Sequence, residues 1–430
     1  MAKRVLSAVG VVAFAALAGI VAAAVTARAQ ESQFPRSDRT AGYIVFPKVV
    51  VDVNGDFHDG RAVDTVVQIT NTSQLARVVH CFYVDATSHC SNAPTTPCEQ
   101  NSNCPTGGLC RPGWVPQNFT FLLTPNQPFG WRASEGFLSS GLCIGGPHAG
   151  DPCSNGSDCD GGTCGPLASV VVGTVPPLEP LFIGELKCVE VADTASLAPI
   201  NSNDLKGVAN IEEVTSGSSG TVDIRSYNAI GFQTALTDGS TQTDPATQEG
   251  DRVLCLGSNG SDQCETREYA YCPSSLVLNH FFDQDAPADE EKTTTDVTFV
   301  PCSETLLNGA AQTSTTAQFL VYNEFEQRTS ASTRVNCFRE VQLSDIDSPR
   351  QHSTSIFNIA VQGTLTGQTR IRPVQGNETD TGHGLLAIGE QFDTQESPPA
   401  RTSSAFNLNY IGLDASKADF VRYNVATVGQ

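Results

Sequence analysis

The residues of this chain best suited to chemistry are its fifteen cysteines. Two clusters of four, here called module 1 (residues 90–110) and module 2 (residues 143–164), hold more than half of them. Four closely spaced thiols can bind zinc or form two disulfides. Neither module contains the Cys-x2-Cys spacing of a zinc knuckle, so we expect disulfides. The cysteines concerned are Cys90, Cys98, Cys104 and Cys110 in module 1, and Cys143, Cys153, Cys159 and Cys164 in module 2.

The remaining cysteines are spread along predicted strands. We expect Cys81 to pair with Cys188 and Cys302 to pair with Cys337, each bond stapling one folding unit. Cys255, Cys264 and Cys272 would then supply one further pair and one odd thiol, since the cysteine count is odd.

A second candidate site is the oxygen-rich run formed by Asp52, Asn54, Asp56 and Asp59. Ligands at a spacing of two open a Ca²⁺-binding loop, because alternate side chains of a tight turn converge on one point. The run departs from an EF-hand, with an aromatic residue at the glycine position and no bidentate glutamate. The alternative interpretation is a β-turn built on Asn-Gly. Apart from Ca²⁺ we expect no cofactor.

Catalytic motifs are scarce. The sequence has no His-Glu-x-x-His, no Gly-x-Ser-x-Gly and no phosphate-binding glycine loop. Glu324, Glu326 and Arg328 would share a face if their strand extended that far, and they suit either acid–base catalysis or a cross-strand ion pair. We therefore expect a protein that is not an enzyme, with an extracytoplasmic hydrolase as an alternative. The only tryptophans, Trp114 and Trp131, are a candidate sugar-binding surface or caps on a sheet edge.

The N-terminal residues indicate export. Lys3 and Arg4 precede an uncharged stretch over residues 5–25, and Ala27-Arg28-Ala29 is a cleavage site, so residues 1–29 are predicted to be a signal peptide. An uncleaved anchor is the alternative. With no second apolar run of that length, we expect no integral membrane segment after cleavage and a secreted, cell-surface or periplasmic protein.

The net charge of the chain limits the classes of partner that it can bind. The formal net charge is −21, and removal of the signal peptide leaves 22 basic against 46 acidic residues, or −24. Such a surface repels nucleic acid phosphates and anionic lipids, so we expect no nucleic acid partner.

The elements that must position these residues are short β-branched segments bounded by turn residues, which predict an all-β fold. We expect two β-sandwich, Ig-like domains: residues 30–250, with the cysteine modules as disulfide-rich loop insertions, and residues 251–430. Residues 237–251 are the predicted linker, and residues 283–291 a surface loop. The predicted strands are Tyr43–Val53, Asp64–Asn71, Arg77–Val84, Asn118–Leu123, Leu181–Val191, Val208–Glu213, Thr221–Ser226, Thr295–Pro301, Ala317–Phe325, Thr333–Leu343, Ser355–Gln362, Gly367–Val374 and Leu385–Phe392.

Two segments look alike. Residues 64–71 run through a turn to residues 77–82, and residues 318–323 run through a longer turn to residues 334–338. Both read as a strand that ends in Asn, followed by a strand that starts with Arg-Val and contains Cys-Phe. Two matching hairpins of this kind indicate a duplicated domain.

Module 2, with Cys143-Ile-Gly-Gly, Asp-Pro-Cys153 and Asp-Cys159-Asp-Gly-Gly-Thr-Cys164, resembles a cysteine module of uncharacterised secreted and surface proteins of environmental Gram-negative bacteria. Residues 272–282 and 323–328 also resemble parts of such proteins. The resemblance implies an extracytoplasmic location and carries no activity. We therefore expect a structural or adhesive protein, with a carbohydrate- or matrix-binding protein as the first alternative. Expected partners are a surface glycan, a matrix component or a second copy of the chain.

Overall fold

The computed structural model describes residues 34–423 except 57, 59, 99–100, 112, 138–140, 149–151, 154–155, 166–172, 215–221, 243–252, 258–263, 265, 285–291, 307–312, 375–383, 397–398 and 411–418. The prediction of an all-β sandwich fold is confirmed, because nearly all regular structure in these residues is antiparallel sheet. Among the described helices, none is long and apolar enough to cross a bilayer.

Strands of the first half are β1 (Tyr43–Asp52), β2 (Ala62–Asn71), β3 (Arg77–Asp85), β4 (His89–Cys90), β5 (Ala93–Pro97), β6 (Cys110–Arg111), β7 (Val115–Leu123), β8 (Pro128–Arg132), β9 (Gly141–Ile144), β10 (Pro152–Cys153), β11 (Thr163–Gly165), β12 (Leu181–Val191), β13 (Leu205–Val214), β14 (Val222–Asn228) and β15 (Ile230–Phe232).

Strands of the second half are β16 (Val253–Leu256), β17 (Leu276–Phe281), β18 (Lys292–Pro301), β19 (Glu304–Leu306), β20 (Ser314–Asn323), β21 (Arg328–Asn336), β22 (Arg339–Gln342), β23 (Thr366–Val374), β24 (Leu385–Glu396), β25 (Pro399–Asn407), β26 (Asn409–Tyr410) and β27 (Asp419–Tyr423). One α-helical turn, α1 (Ile359–Gln362), and 3₁₀ turns at Asn101–Asn103, Gly156–Cys159, Leu343–Ile346 and His352–Thr354 complete the elements.

The first sandwich is a nine-stranded sheet folded at the junction of β1 and β2. One layer has the order β14-β13-β2-β8, and the other contains β1, β12, β3 and β7 in that order, with β15 beside β1. Alternate side chains of both layers fill the space between them, including Val67 and Ile211 from the first layer and Tyr83 and Leu186 from the second.

Every residue of β1 is buried. Its sequence is a nearly continuous apolar run rather than an alternating one, which is typical of a strand covered on both faces. Ile44 and Phe46 point into the first sandwich, whereas Tyr43 and Val45 point into a second core shared with residues 254–423. The sheet that contains β1 is therefore a central layer of the molecule.

The second sandwich pairs a five-stranded sheet, β21-β20-β23-β17-β26, with a four-stranded sheet, β22-β18-β24-β25. Phe319 and Ile371 of the first sheet meet Phe299 and Ala387 of the second in its core. A small third sheet, β16-β27-β19, contributes Leu254 and other residues to the core shared with the first sandwich.

The cysteine modules are small ordered sheets, whereas the sequence suggested knots of irregular loops. In module 1 the strands have the order β5-β4-β6, and in module 2 the order is β10-β9-β11. Each module is thus a strand paired with the two strands that follow it, with a 3₁₀ turn before the last. Module 1 lies between β3 and β7 and module 2 between β8 and β12, so both are insertions in the first sandwich.

Three expectations about strands were wrong. Residues 355–362 form a turn and α1 instead of a strand, with Asn358 capping α1 through its side chain and Val361 exposed. Strand β20 ends at Asn323, which leaves Phe325 68% exposed in a turn instead of on the buried face. The predicted strand 333–343 is interrupted at Cys337, which has a φ of 60°.

The two matching hairpins that indicated a duplicated domain are not both present. Strands β20 and β21 pair directly, but β2 pairs with β13 and β8 while β3 pairs with β12 and β7. The first connection therefore crosses between the two layers of a sandwich. The shared feature is local: Asn71 and Asn323 each end a strand and accept hydrogen bonds from the turn that follows.

Candidate ligand-binding face

One face of the second sandwich stands apart in its chemistry. It is the outer face of the five-stranded sheet, here called the outer face, and is formed by alternate residues that point away from the core. The cross-strand register places Asn279, Gln368, Tyr322 and Arg328 in one row across β17, β23, β20 and β21. The next row contains Val277, Arg370, Leu320 and Ser330.

A groove of about 610 Å³ opens over the first of these rows. Aromatic side chains of Phe281 and Tyr322 line it together with the side-chain amides of Asn279 and Gln368. Phe281 is 38% exposed although it belongs to a strand. An apolar wall with a few convergent polar groups is the usual composition of a small-molecule or oligomer site.

Arg370 lies at the centre of the groove wall. Its guanidinium carbon is 5.5 Å from the centroid of the Tyr322 ring, a cation–π distance. Its Nε is buried and has no hydrogen-bond acceptor among the described residues. A buried donor without an acceptor costs free energy unless a ligand or water supplies one. The Arg370 guanidinium thus lies beside the Tyr322 ring, and its Nε has no acceptor in the described part of the chain.

The five strands of this sheet contain no aspartate or glutamate. They contain four arginines, Arg328 and Arg334 on β21 and Arg370 and Arg372 on β23, which all point outward. In a chain with 46 acidic residues against 25 basic ones, this face is a local reversal of charge. Arg328 and Arg372 are exposed and form no ion pair with a described residue.

The turn between β20 and β21 closes one end of the groove. Asn323 organises it by accepting from the N–H groups of Phe325 and Gln327, and Glu326 adopts a φ of 60°. Glu324 accepts hydrogen bonds from the backbone N–H and the hydroxyl of Thr366, and these bonds lower the pKa of its carboxyl. Glu324, Glu326 and Arg328 therefore belong to a turn and the start of β21, and do not share one strand face.

His280 lies beneath the groove on the core side of β17. It is 5% exposed, with Nε2 2.8 Å from the Thr369 hydroxyl and Nδ1 2.9 Å from the Phe281 carbonyl. A neutral ring satisfies both contacts, because Nδ1–H donates to the carbonyl and Nε2 accepts from the hydroxyl. Burial lowers the pKa of His280 to about 4, although the bond to Phe281 opposes this. His280 supports the groove as an uncharged residue.

The calcium candidate forms a turn. The Asp52 side chain is fully buried; its Oδ1 accepts from the Asp56 N–H, and its Oδ2 lies 2.8 Å from Nδ1 of His58. Gly55 adopts a φ of 72°, as an Asn-Gly turn requires. Both Asp52 oxygens thus already accept hydrogen bonds from within the turn, which favours the β-turn interpretation. Asn54 bonds to Asp56 through its amide, and Asp59 lies outside the described residues.

The cysteine modules are closed by disulfides. The bonds are Cys90–Cys104, Cys98–Cys110 and Cys143–Cys159. The side chains of Cys153 and Cys164 lie outside the described residues. The sulfurs of Cys90, Cys98 and Cys104 lie within 4.8 Å of one another, a spacing that would suit a metal, but all three are consumed by disulfides.

Outside the modules, one expected disulfide is present and one is not. Cys81 bonds to Cys188, its direct cross-strand neighbour. Cys302 bonds to Cys272 rather than to Cys337, which remains a buried free thiol, and Cys255 pairs with Cys264. Cys337 lies between the end of β21 and the start of β22, with a φ of 60°, so it has no regular cross-strand position from which to reach Cys302.

Neither tryptophan forms a binding platform. Trp131 is 4% exposed within the first sandwich, where its indole N–H donates to the Tyr83 hydroxyl. Trp114 is partly buried against the core shared by the two halves. The structure favours the alternative in which the tryptophans pack against the sandwich, because Trp131 is buried and Trp114 is partly buried.

A buried ion cluster joins the two sandwiches. Lys48 of β1 binds Glu340 and Glu390, and Arg225 of β14 binds Glu390 and Glu213. Burial disfavours the charged form of Glu390, but Lys48 and Arg225 together hold its pKa below the ordinary value. The arrangement neutralises charge between the layers.

Beside this cluster, Asp296 has its pKa raised to about 8 by burial and then by Glu340. It therefore keeps its proton at neutral pH, which avoids a third negative charge next to Glu340 and Glu390.

The chain matches no protein-family model and no curated protein. Sequence reasoning named two segments that line the groove, residues 272–282 and 323–328, without recognising that β23 would bring them together. Two features of the sequence could have revealed this face: the absence of acidic residues from its five strands, and the arginines at alternate positions 370 and 372.

Proposed function

We propose that this protein is an extracytoplasmic, non-catalytic adhesive protein that binds carbohydrate through the groove on its outer face. The observation that carries the proposal is the combination of Tyr322 and Phe281 with the amides of Asn279 and Gln368 in one groove. Aromatic rings offer flat apolar area, and amides donate and accept at once, so together they suit a ligand with apolar ring faces and many hydroxyls.

The location outside the cytoplasm is supported by the disulfides. Six are formed among the described residues, and such bonds persist in oxidising compartments. The export signal predicted at residues 1–29 agrees with this location.

We propose a protein without catalytic activity because the carboxylates near the groove do not suit a glycosidase. A glycosidase needs a general acid whose pKa is raised, paired with a second carboxylate. Glu324, at the end of the groove, has its pKa lowered by the hydrogen bonds from Thr366. The clustered carboxylates Glu340 and Glu390 are bound by Lys48 between the sandwiches. Asp296, whose pKa is raised to about 8, lies beside Glu340 and Glu390 and is not among the residues that line the groove, so it cannot act there as the general acid.

The test is binding of the full chain to a panel of immobilised polysaccharides, with Tyr322→Ala and Phe281→Ala as variants. We expect each variant to weaken binding about tenfold or more, because each removes one stacking surface. Release of reducing ends from any bound polysaccharide is measured in parallel.

Phe325→Ala is the matched control, since Phe325 is 68% exposed in the adjacent turn but does not line the groove. It should bind as the unmodified protein does. Equal loss in all three variants, or release of reducing ends that Glu324→Gln abolishes, would contradict the proposal.

A further inference from the structure

We propose that the ligand of the outer face is an anionic, uronate-bearing polysaccharide whose carboxylates bind Arg370 and Arg372. This inference rests on the proposed function and adds the chemical class of its substrate. It follows from the reversal of charge on the outer face, because four arginines and no carboxylate stand on five strands of a strongly acidic chain.

The spacing of the arginines fits a repeating anion. Arg370 and Arg372 are separated by two positions on β23 and project from the same face, about 7 Å apart along the strand. Arg328 lies in the row of Gln368 and Tyr322, two strands from β23, roughly 10 Å across the sheet. Arg370 lines the groove itself, and Arg328 and Arg372 extend the positive charge beyond it along and across the sheet. Glu324 and Glu326 line the end of the groove at the β20–β21 turn, so the positive charge lies on the side of Arg370.

Among the four arginines, the state of Arg370 points to a ligand. The Nε of Arg370 is buried without an acceptor in the described part of the chain, while its guanidinium lies over Tyr322. A planar guanidinium fixed in this way presents parallel donors to a carboxylate, which accepts two of them at once. Tyr322 and Phe281 then provide apolar contact for the sugar rings that carry the carboxylates.

Two other anionic partners fit the outer face less well. The net charge of the chain repels any polyanion beyond the outer face, so charge alone does not separate nucleic acid from polysaccharide. The side-chain amides of Asn279 and Gln368 in the groove match the many hydroxyls of a sugar, which favours the polysaccharide. A second copy of the chain would supply carboxylates but no extended polymer for a groove that combines aromatic rings and amides. Both remain outcomes of the experiment.

The experiment compares polygalacturonate with its fully methyl-esterified form, which has the same backbone without the charge. Binding of the full chain is measured by titration calorimetry at 50 and 500 mM NaCl. We expect the acid form to bind at least about tenfold more tightly than the ester and to weaken at high salt. Arg370→Gln with Arg372→Gln should remove this preference.

Arg111→Gln is the control, because Arg111 is exposed on module 1 of the first sandwich. It should leave the preference intact. Equal binding of acid and ester, with loss in Tyr322→Ala, would overturn the anionic inference and preserve the proposed function. Binding of neither form, with no other polysaccharide bound, would overturn both.

Two further measurements complete the test. Single-stranded DNA that binds the outer face as tightly as polygalacturonate would overturn the assignment to polysaccharide. Concentration-dependent dimerisation in sedimentation experiments that the double arginine variant abolishes would assign the face to a second copy instead. A monomer that does not bind DNA is the expected result.

Discussion

At the scale of the residue, similar side chains have opposite roles according to what packs against them. Trp131 and Tyr83 are buried in the first core, whereas Tyr322 lies on the outer face with the Arg370 guanidinium beside its ring. The sequence alone predicts that such residues exist but not which face of a strand they take when both faces are apolar. The alternation of apolar and polar residues correctly predicted that Phe319 and Val321 are buried. It failed for Phe325, because Asn323 ends the strand and starts a turn.

The buried His280 makes stability depend on pH. Its pKa is about 4 in the folded protein and ordinarily 6.5, so the unfolded chain binds a proton that the folded protein refuses. Stability therefore falls as the pH decreases from about 6.5 to 4, by up to about 3 kcal/mol from this group. Urea unfolding at pH 7 and pH 4.5 should show a smaller loss in His280→Gln than in the unmodified protein.

The exposed His148 provides the control for this measurement. His148→Gln should retain the full pH dependence of the unmodified protein. Asp296 and Glu190, whose pKa values are raised to about 8 and about 7, act in the opposite direction, since the stability that they provide at low pH is lost as pH rises. The contribution of His280 is therefore read from the difference in pH dependence between the two histidine variants. If the free energy of unfolding depends on pH equally in both, His280 is not the responsible group.

At the scale of the element, much of the strand pattern could be predicted. Strand Leu181–Val191 agrees with its predicted bounds, because β-branched and aromatic residues between turns specify a strand locally. Which strands pair could not be predicted as well from the sequence. Strands β2 and β3 resemble a hairpin in sequence but belong to different layers. A turn of similar length can join strands within a sheet or across a sandwich, and the choice depends on packing partners distant in the chain.

Disulfides at this scale differ in the length of chain that they close. Cys81–Cys188 spans 107 residues and Cys255–Cys264 spans 9, and all four cysteines are buried. Loop-closure entropy predicts that replacing the first pair by alanines costs about 2 kcal/mol more than replacing the second. Denaturant unfolding of the two double variants measures this. Equal losses would show that the cross-link between β3 and β12 acts through packing instead.

At the scale of the whole molecule, the ion cluster links the two sandwiches. Arg225 is 3% exposed on the side chain, with Nε 2.8 Å from Glu390 of the second sandwich and Nη1 2.9 Å from Glu213 of the first. No sequence pattern predicted this, because charged residues within β13, β14 and β24 read as solvent-facing positions. The prediction for Asp283 was wrong for the same reason. It was placed in a surface loop, but it is buried and accepts hydrogen bonds from Ser344 and Gln342.

Arg225→Met should destabilise the protein by about 3 kcal/mol, because it leaves buried carboxylates on both sandwiches with less compensation. The free energy of unfolding measures the loss. Arg350→Met, at an exposed turn, is the matched control and should change it by less than about 0.5 kcal/mol. Addition of Glu390→Met to Arg225→Met should recover part of the loss, and a further full loss would contradict a paired role.

The central layer built on β1 also couples the first sandwich to residues that come much later in the chain. Its second face, with Tyr43 and Val45, is covered in part by Val421 and Tyr423 of β27. That strand joins β16 and β19, which come much earlier in the chain. Without the residues that follow it in the chain, the first sandwich would expose this apolar face to water. We therefore expect the two sandwiches to unfold as one cooperative unit rather than separately.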